Sequence, residues 1–362
     1  MFRNFLIVKQ INSTVVRLPA PMNISFFWNF GSCLGFLLVM QILTGLFLSM
    51  MYISESKYTF QNMNYMMMDN NFGWVLRLMH TIGASFLMLV LYLHLLRGFY
   101  YKRFVNKGAW NIGVILMILM MGTAFLGYVL PWGQMSFWGA TVITNLITTI
   151  PFIGDSIVSW LWGGFSVSGY TLTRFFSFHF ILPFSIILFS LFHLLMIHNL
   201  GAGNTLGTSS NLKIDFWPFF GYKDVLGFFF LFFFYFFFIF FLPYNLMDPE
   251  NFMMANPGVT PLHIKPEWYF LFAYAMLRSI PNKVLGVLVL VFSILVFFLL
   301  PYGNKNLKMN FFFIYKLVFF FWVFNFILLT WLGGCPVKIY YNFLSQISGI
   351  LYFFLIFLML YL

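Results

Sequence analysis

The sequence is poor in charge and nearly free of cysteine. Only 7% of its 362 residues are charged, whereas 62% are hydrophobic and 55 are phenylalanine. Such a composition excludes a soluble globular protein and indicates an integral membrane protein. The two cysteines, Cys33 and Cys335, stand alone, and no C-x-x-C-H motif occurs. Covalent attachment of a c-type haem is therefore excluded, and no disulfide framework is implied.

Long apolar runs dominate what remains. A helix needs about 20 apolar residues to cross a bilayer, and eight stretches reach that length. They cover 29–51, 74–98, 110–130, 172–197, 222–244, 270–301, 312–333 and 339–361. No N-terminal signal peptide is expected, because Arg3, Lys9 and Arg17 precede the first stretch without a short apolar core and cleavage site. We therefore predict an all-α integral membrane protein with eight transmembrane helices.

The segment 132–170 is apolar enough to suggest a ninth span, but polar residues and Pro151 interrupt it. We predict instead two short helices along the outer face, at 133–165, joined near Pro151. The second and fourth spans would then run in the same direction. A true ninth span would reverse the fourth span and exchange the residues that face each other.

The net charge of +11 could suggest nucleic acid, but its distribution along the chain favours a membrane orientation. With the N-terminus inside, the inner side carries most of the basic residues and only Asp215 and Asp224 as acidic ones. The other side has seven basic and six acidic residues. This positive-inside pattern puts both termini on the inner side. The inner basic residues are Arg3, Lys9, Arg17, Arg97, Lys102, Arg103, Lys107, Lys213, Lys223, Lys305, Lys308 and Lys316.

Four histidines occur in two pairs of equal spacing. His80 and His94 lie in the second span, His179 and His193 in the fourth, and each pair is 14 residues apart. On an α-helix, 14 residues rise about 21 Å and return to nearly the same face. Two such helices facing each other would pair imidazoles at two levels. Axial ligation of an iron porphyrin by two imidazoles suits electron transfer, so the sequence predicts a two-haem membrane cytochrome.

Glycines and arginines accompany the histidines. Gly31 and Gly45 in span one, and Gly113 and Gly127 in span three, are also 14 apart. Small residues allow close helix packing, but the shared interval favours clearance for a flat macrocycle. Three arginines lie near the histidines at the membrane edge, where they either pair with haem propionates or extend to the lipid headgroups. They are Arg77, Arg97 and Arg174.

Together these motifs resemble the mitochondrial cytochrome b family, whose members form the core of ubiquinol–cytochrome c oxidoreductase (complex III, the cytochrome bc1 complex). The resemblance extends over essentially the whole chain. Besides the histidines and glycines, it rests on three segments: GYVLPWGQMSFWGATVITN at 127–145, PEWYFLFAY at 266–274 and LRSIPNK at 277–283.

The resemblance implies a role for each matching residue. His80 and His179 would ligate the iron of an outer, low-potential haem, and His94 and His193 that of an inner, high-potential haem. A quinone-reduction site would use His198, Asp224 and Ser32, with Asn29 and Lys223 as further candidates. A quinol-oxidation site would be lined by Phe125, Tyr128, Met135, Gly139, Ile143, Pro266, Glu267 and Tyr274.

The resemblance also implies the context. Two non-covalent b-type haems would be the cofactors, and ubiquinol or a related quinone such as rhodoquinone the substrate. The partners would be an iron–sulfur (Rieske) protein, a c-type cytochrome and other complex III subunits in a homodimeric complex, with membrane lipid and without nucleic acid. The complex would lie in the mitochondrial inner membrane, both termini in the matrix. Residues 1–205 would form a di-haem four-helix bundle, and 206–362 a C-terminal domain.

Two positions depart from the family pattern, and two other functions remain possible. Ser168 and Asn199 stand where many members have acidic residues. Another di-haem quinone oxidoreductase would share the histidines but needs no Pro-Glu-Trp-Tyr loop. A proton-coupled transporter could use intramembrane histidines, yet it would more typically have broken spans or internal repeats, and neither is found.

Overall fold

The computed structural model describes residues 9, 12–205, 211–303 and 309–362. Within that part of the chain, eight helices are long and apolar enough to cross a membrane. The predicted all-α membrane fold with eight spans is therefore confirmed. The spans, numbered one to eight, are Phe26–Ser49, Gly73–Tyr100, Lys107–Val129, Gly169–Leu200, Phe219–Phe241, Lys283–Tyr302, Phe313–Gly334 and Ile339–Tyr361.

The first four spans pack in pairs. Span one lies along span two, and span three lies along span four. Span five leans on spans one and two, and its buried Tyr235 donates its hydroxyl proton to the Met79 carbonyl at 2.6 Å. The last three spans pack behind spans two and three, where the indole of Trp110 donates to the Phe297 carbonyl at 2.8 Å. One buried core therefore joins spans two and three to the C-terminal spans.

Two short helices follow span three, as predicted for 133–165. They are Gln134–Asn145 and Gly154–Trp162, separated by the 3-10 turn Ile147–Thr149 and by Pro151. In the described chain no ninth span occurs between spans three and four. Spans two and four therefore run in the same direction. We call the end of the bundle that carries these helices the outer end.

Span six is shorter than the sequence suggested. The prediction of one span over 270–301 was wrong, because the helix Leu271–Ser279 ends before Pro281 and the spanning helix starts at Lys283. Proline disfavours the helical conformation in the residue before it, and Ile280 is extended. Asn282 then caps the new helix by accepting the Leu285 amide proton at 3.0 Å. The continuous apolar run had concealed this break.

Two further elements were not predicted. The helix Thr59–Met68 lies between spans one and two, and Pro19–Pro21 pairs antiparallel with Lys213–Asp215. This small ribbon ties the N-terminal segment to the chain before span five. The predicted domain boundary falls beside residues 206–210, and these lie outside the described residues, as do the basic residues Arg3, Lys305 and Lys308.

Candidate functional site

The two histidine-bearing spans bring their imidazoles together at two levels. The ring centres of His80 and His179 are 6.1 Å apart, at the outer level. Those of His94 and His193 are 6.2 Å apart, at the inner level. Because spans two and four run in the same direction, the first histidine of one faces the first histidine of the other.

This spacing suits one metal ion between each pair. Imidazoles on opposite sides of a metal have ring centres roughly 6.5 Å apart, given metal–nitrogen bonds of about 2.1 Å. No group of three or more His, Cys, Asp or Glu side chains that could hold a metal occurs among the described residues. A bare ion would lack ligands at a two-histidine site, whereas a porphyrin supplies four nitrogens of its own. The donor set therefore fits a haem at each level.

The four glycines face the four imidazoles. A methyl group added to Gly127 would lie 2.5 Å from His179 Cε1, and one added to Gly45 would lie 3.1 Å from His80 Cε1. The corresponding distances are 3.2 Å for Gly113 against His193 and 3.5 Å for Gly31 against His94. The shared 14-residue interval thus matches each glycine to one histidine of the adjoining span. Clearance for the macrocycle itself stays a prediction.

The outer imidazoles are held by hydrogen bonds at Nδ1. His179 Nδ1 lies 2.9 Å from the Thr123 carbonyl oxygen, and His80 Nδ1 lies 2.9 Å from Thr44 Oγ1. A carbonyl oxygen only accepts, so His179 carries its proton on Nδ1. Its Nε2 then has the free lone pair that a metal needs.

The three arginines are placed differently. Arg97 Nη2 lies 3.3 Å from His94 Nδ1, and the Arg97 Nε is buried without a partner. Arg77 lines two cavities at the outer level, each of which His80 also lines. These two positions suit anionic groups of a cofactor next to the histidines. Arg174 instead donates to the Leu161 carbonyl at 3.4 Å and lies over the Trp160 ring, so its contacts are with the second outer helix.

A large cavity opens beside the outer histidines. It contains about 1190 Å³ of unfilled space, including its open mouth, and its lining is mostly apolar. Of the eight residues predicted for quinol oxidation, Tyr128 and Glu267 line it. They share it with His80 and His179, so a substrate there would be next to the outer imidazole pair.

The other six predicted residues do not line this cavity. Phe125 packs edge-on against Phe175, and Met135 is buried in the first outer helix. That helix also carries Gly139 and Ile143. Pro266 precedes Glu267, and the Tyr274 hydroxyl donates to the Ile264 carbonyl at 3.1 Å.

Glu267 has an unusual environment for a carboxyl group. Burial and, to a lesser extent, the negative charge of Asp248 raise its pKa from 4.5 to about 7, and Lys265 opposes both effects. Lys265 itself pairs with Asp248 at 3.7 Å between Nζ and Oδ2. A carboxyl group with a pKa near neutrality can both take up and release a proton under physiological conditions.

Four of the five predicted inner-site residues come together near the inner end of spans one and five. Ser32 Oγ lies 2.8 Å from Asp224 Oδ1, and the Asn29 amide donates to the Lys223 carbonyl at 2.6 Å. In the described chain no hydrogen bond joins His198 to this group. It lies at the end of span four, half-buried.

Comparison with known proteins agrees with this arrangement. The family model "Cytochrome b/b6/petB" matches residues 15–201, and "Cytochrome b(C-terminal)/b6/petD" matches 254–353. The chain belongs to the cytochrome b/b6 family. A solved structure described as a hyperthermophilic respiratory Complex III is similar over 98% of this chain and 96% of its own, with a TM-score of 0.91 and 29% identity.

Membership of the cytochrome b/b6 family implies binding of b-type haem. It also supports an electron-transfer role in quinol oxidoreduction.

Sequence reasoning missed Asp248 and Asn251, which also line the outer cavity. Asn251 Oδ1 accepts the Ser136 amide proton at 2.9 Å. Gln134 donates to the Val259 carbonyl at 2.7 Å. The loop before Glu267 is thereby fastened to the first outer helix, more than 100 residues earlier in the chain. The polar Asp-Pro-Glu-Asn segment at the start of this loop could have indicated functional residues. The contacts of the loop with the first outer helix could not be predicted from local sequence.

Ser168, one of the departures from the family pattern, begins span four. Its amide donates to Thr171 Oγ1 at 3.0 Å, and its hydroxyl donates to the Trp162 carbonyl at 3.3 Å. Serine is a favoured residue at the start of a helix, so this position retains a structural role without an acidic group. The other departure, Asn199, is exposed near the end of the same span.

Proposed function

We propose that this cytochrome b family member oxidises quinol at the outer cavity and passes one electron inward to a quinone-reduction site. This Q cycle would contribute to proton translocation in a respiratory chain. The observation that carries the proposal is the pairing of four histidines at two levels of one bundle, 6.1 and 6.2 Å between ring centres. The outer pair adjoins the cavity that Glu267 lines.

His80 and His179 would hold the outer, low-potential haem, and His94 and His193 the inner, high-potential haem. When bound, the two haems supply one-electron carriage between the membrane faces. The imidazoles pack closely against four glycines of the adjoining spans, Gly31, Gly45, Gly113 and Gly127. Positive charge beside the histidines comes from Arg77 and Arg97. For Arg174 the proposed haem contact has no support from its neighbours, which belong to the second outer helix.

At the outer site, Glu267 would accept a proton from the quinol hydroxyl. The apolar cavity accommodates a hydrophobic substrate, and a carboxyl group with a pKa of about 7 is able to take the proton up and later release it to water. Phe125, Tyr128, Met135, Gly139, Ile143, Pro266 and Tyr274 would shape the site. The second quinol electron would go to an external iron–sulfur acceptor.

At the inner site, reduced quinone must gain protons. Asp224, held by Ser32, can deliver one from the inner aqueous phase. Next to it, the Asn29 amide donates to the Lys223 carbonyl, and these two residues would complete the site. His198, which lies at the end of span four, would be the second proton donor, since an imidazole nitrogen can both carry and release a proton.

The chain would act as the catalytic subunit of a ubiquinol–cytochrome c reductase and not alone. Its partners would be a Rieske iron–sulfur protein, a c-type cytochrome and other complex III subunits, in a homodimer surrounded by lipid. Its substrate would be ubiquinone or a related quinone such as rhodoquinone. We place it in the mitochondrial inner membrane with both termini in the matrix, and divide it into residues 1–205 and 206–362.

The test is quinol-dependent reduction of a c-type cytochrome by the purified complex. We expect steady reduction with the wild-type chain and its loss with Glu267→Gln at neutral pH. A complex that contains haem but cannot pass quinol electrons to the c-type cytochrome would contradict this function.

A further inference from the structure

Span one holds His80 at two points, one of them on the imidazole itself. The side-chain amide of Gln41 donates to the His80 carbonyl at 2.8 Å. Three residues later, Thr44 Oγ1 lies 2.9 Å from His80 Nδ1. Thr44 is only 4% exposed, so water has little access to this hydroxyl.

The direction of this hydrogen bond follows from a proton count. The Thr44 hydroxyl has one proton, and Oγ1 also lies 2.8 Å from the Met40 carbonyl, which can only accept. The hydroxyl proton therefore goes to Met40, and the hydroxyl oxygen accepts the proton on His80 Nδ1. This leaves the lone pair of His80 on Nε2, the same tautomer that the Thr123 carbonyl gives to His179.

The inner pair has a different neighbour at the same ring position. His94 Nδ1 lies 3.3 Å from Arg97 Nη2, which is a cationic donor. An imidazole that donates its N–H to oxygen is more electron-rich and stabilises oxidised iron, which lowers the reduction potential. A nearby cation favours reduced iron instead. The two levels thus differ in the group that lies beside Nδ1 of the span-two histidine, a hydroxyl oxygen at the outer level and a guanidinium at the inner level.

We propose that Thr44 is a positioning residue that fixes the tautomer of His80 and lowers the midpoint potential of the outer haem relative to the inner one. The proposal rests on the proposed function, in which His80 ligates that haem. Thr44 would touch neither quinone nor iron and would act only through the histidine.

The experiment compares Thr44→Val and Thr44→Ser in membranes by redox titration of the haem α-band. Valine keeps the shape and removes the hydroxyl, whereas serine keeps the hydroxyl. Thr330→Val is the matched control, because the Thr330 hydroxyl bonds the Phe326 carbonyl of its own helix in span seven. We expect Thr44→Val to raise the midpoint potential of the lower-potential haem component alone. The expected rise is about 59 mV, which is a tenfold change in the one-electron redox equilibrium. Thr44→Ser and Thr330→Val should match the wild type.

Two results of the titration would contradict the proposal. An unchanged lower-potential component in Thr44→Val would overturn it, as would the same shift in Thr44→Ser, since packing would then be responsible. If Thr44→Val loses the component altogether, recovery in Thr44→Ser supports the role of the hydroxyl and failure to recover contradicts it. A wild-type chain without two haem components would overturn the proposed function as well, so the two failures are distinguishable.

Discussion

At the residue scale, Glu267 and Asp248 form the most telling electrostatic arrangement in the chain. Both line the outer cavity, and burial, with a smaller contribution from the charge of Asp248, raises the pKa of Glu267 to about 7. A carboxyl group is neutral below its pKa and charged above it. The form that can accept a proton therefore becomes populated as the pH rises through about 7.

This charge change predicts a pH dependence. Quinol oxidation by the assembled complex should increase between pH 6 and 8, with an inflection near 7. Glu267→Gln should remove the inflection and slow the reaction by about a hundredfold, a usual contribution of general base catalysis. The measurement is the rate of quinol-dependent cytochrome reduction against pH. An unchanged profile in Glu267→Gln would show that another group takes the proton.

Asp248→Asn supplies an independent test of the same carboxyl group. It removes a like charge and releases Lys265 from its pairing, so both changes lower the pKa of Glu267. The inflection in the rate should move to lower pH while the maximal rate stays similar. Movement to higher pH would mean that Asp248 does not act on Glu267 through its charge.

The glycines differ in how closely they approach their histidines. In Gly127→Ala the new methyl would lie 2.5 Å from His179 Cε1, which forces the imidazole to move. In Gly31→Ala the distance to His94 Cε1 is 3.5 Å, an ordinary contact. We expect Gly127→Ala to disturb or remove the lower-potential haem component and Gly31→Ala to leave the spectrum nearly unchanged. Equal effects in the α-band spectra would refute this ranking.

At the element scale, the membrane spans could be predicted from the sequence, whereas the breaks and contacts between elements could not. Composition predicts the eight spans and the two outer helices. Helical periodicity predicts that the equally spaced histidines pair at two levels. The break at Pro281 was overlooked because apolar residues continue on both sides of it. Thr44 was overlooked because its contact with His80 joins two spans, and such contacts depend on how the helices pack.

The loop after span five gives an element-scale prediction. Asn251 accepts the Ser136 amide proton near the start of the first outer helix. Asn251→Ala would leave that buried donor unpaired, at a cost of about 1–3 kcal/mol. We expect a lower thermal inactivation temperature of the complex and faster hydrogen exchange across residues 248–259. Asn251→Asp keeps an acceptor oxygen and serves as the control. Equal hydrogen exchange in the wild type, Asn251→Ala and Asn251→Asp would show that Asn251 does not hold this loop in place.

At the scale of the whole molecule, two histidine levels lie in one bundle, and the C-terminal spans carry the Glu267 loop to its outer end. The 14-residue interval predicted the levels, because helical geometry fixes both the height and the direction of each side chain. It could not predict the cavity, which is enclosed by residues from distant parts of the chain. Composition thus predicts that the chain lies in a membrane, whereas the packing of the helices determines where the substrate would bind.

The most direct measurement is a redox titration of the α-band in membranes containing the wild-type chain or His94→Leu. The account predicts two b-type components in the wild type and loss of the higher-potential one alone in the variant. Loss of the lower-potential component instead would invert the two levels. A wild-type chain without a haem spectrum would contradict the account as a whole.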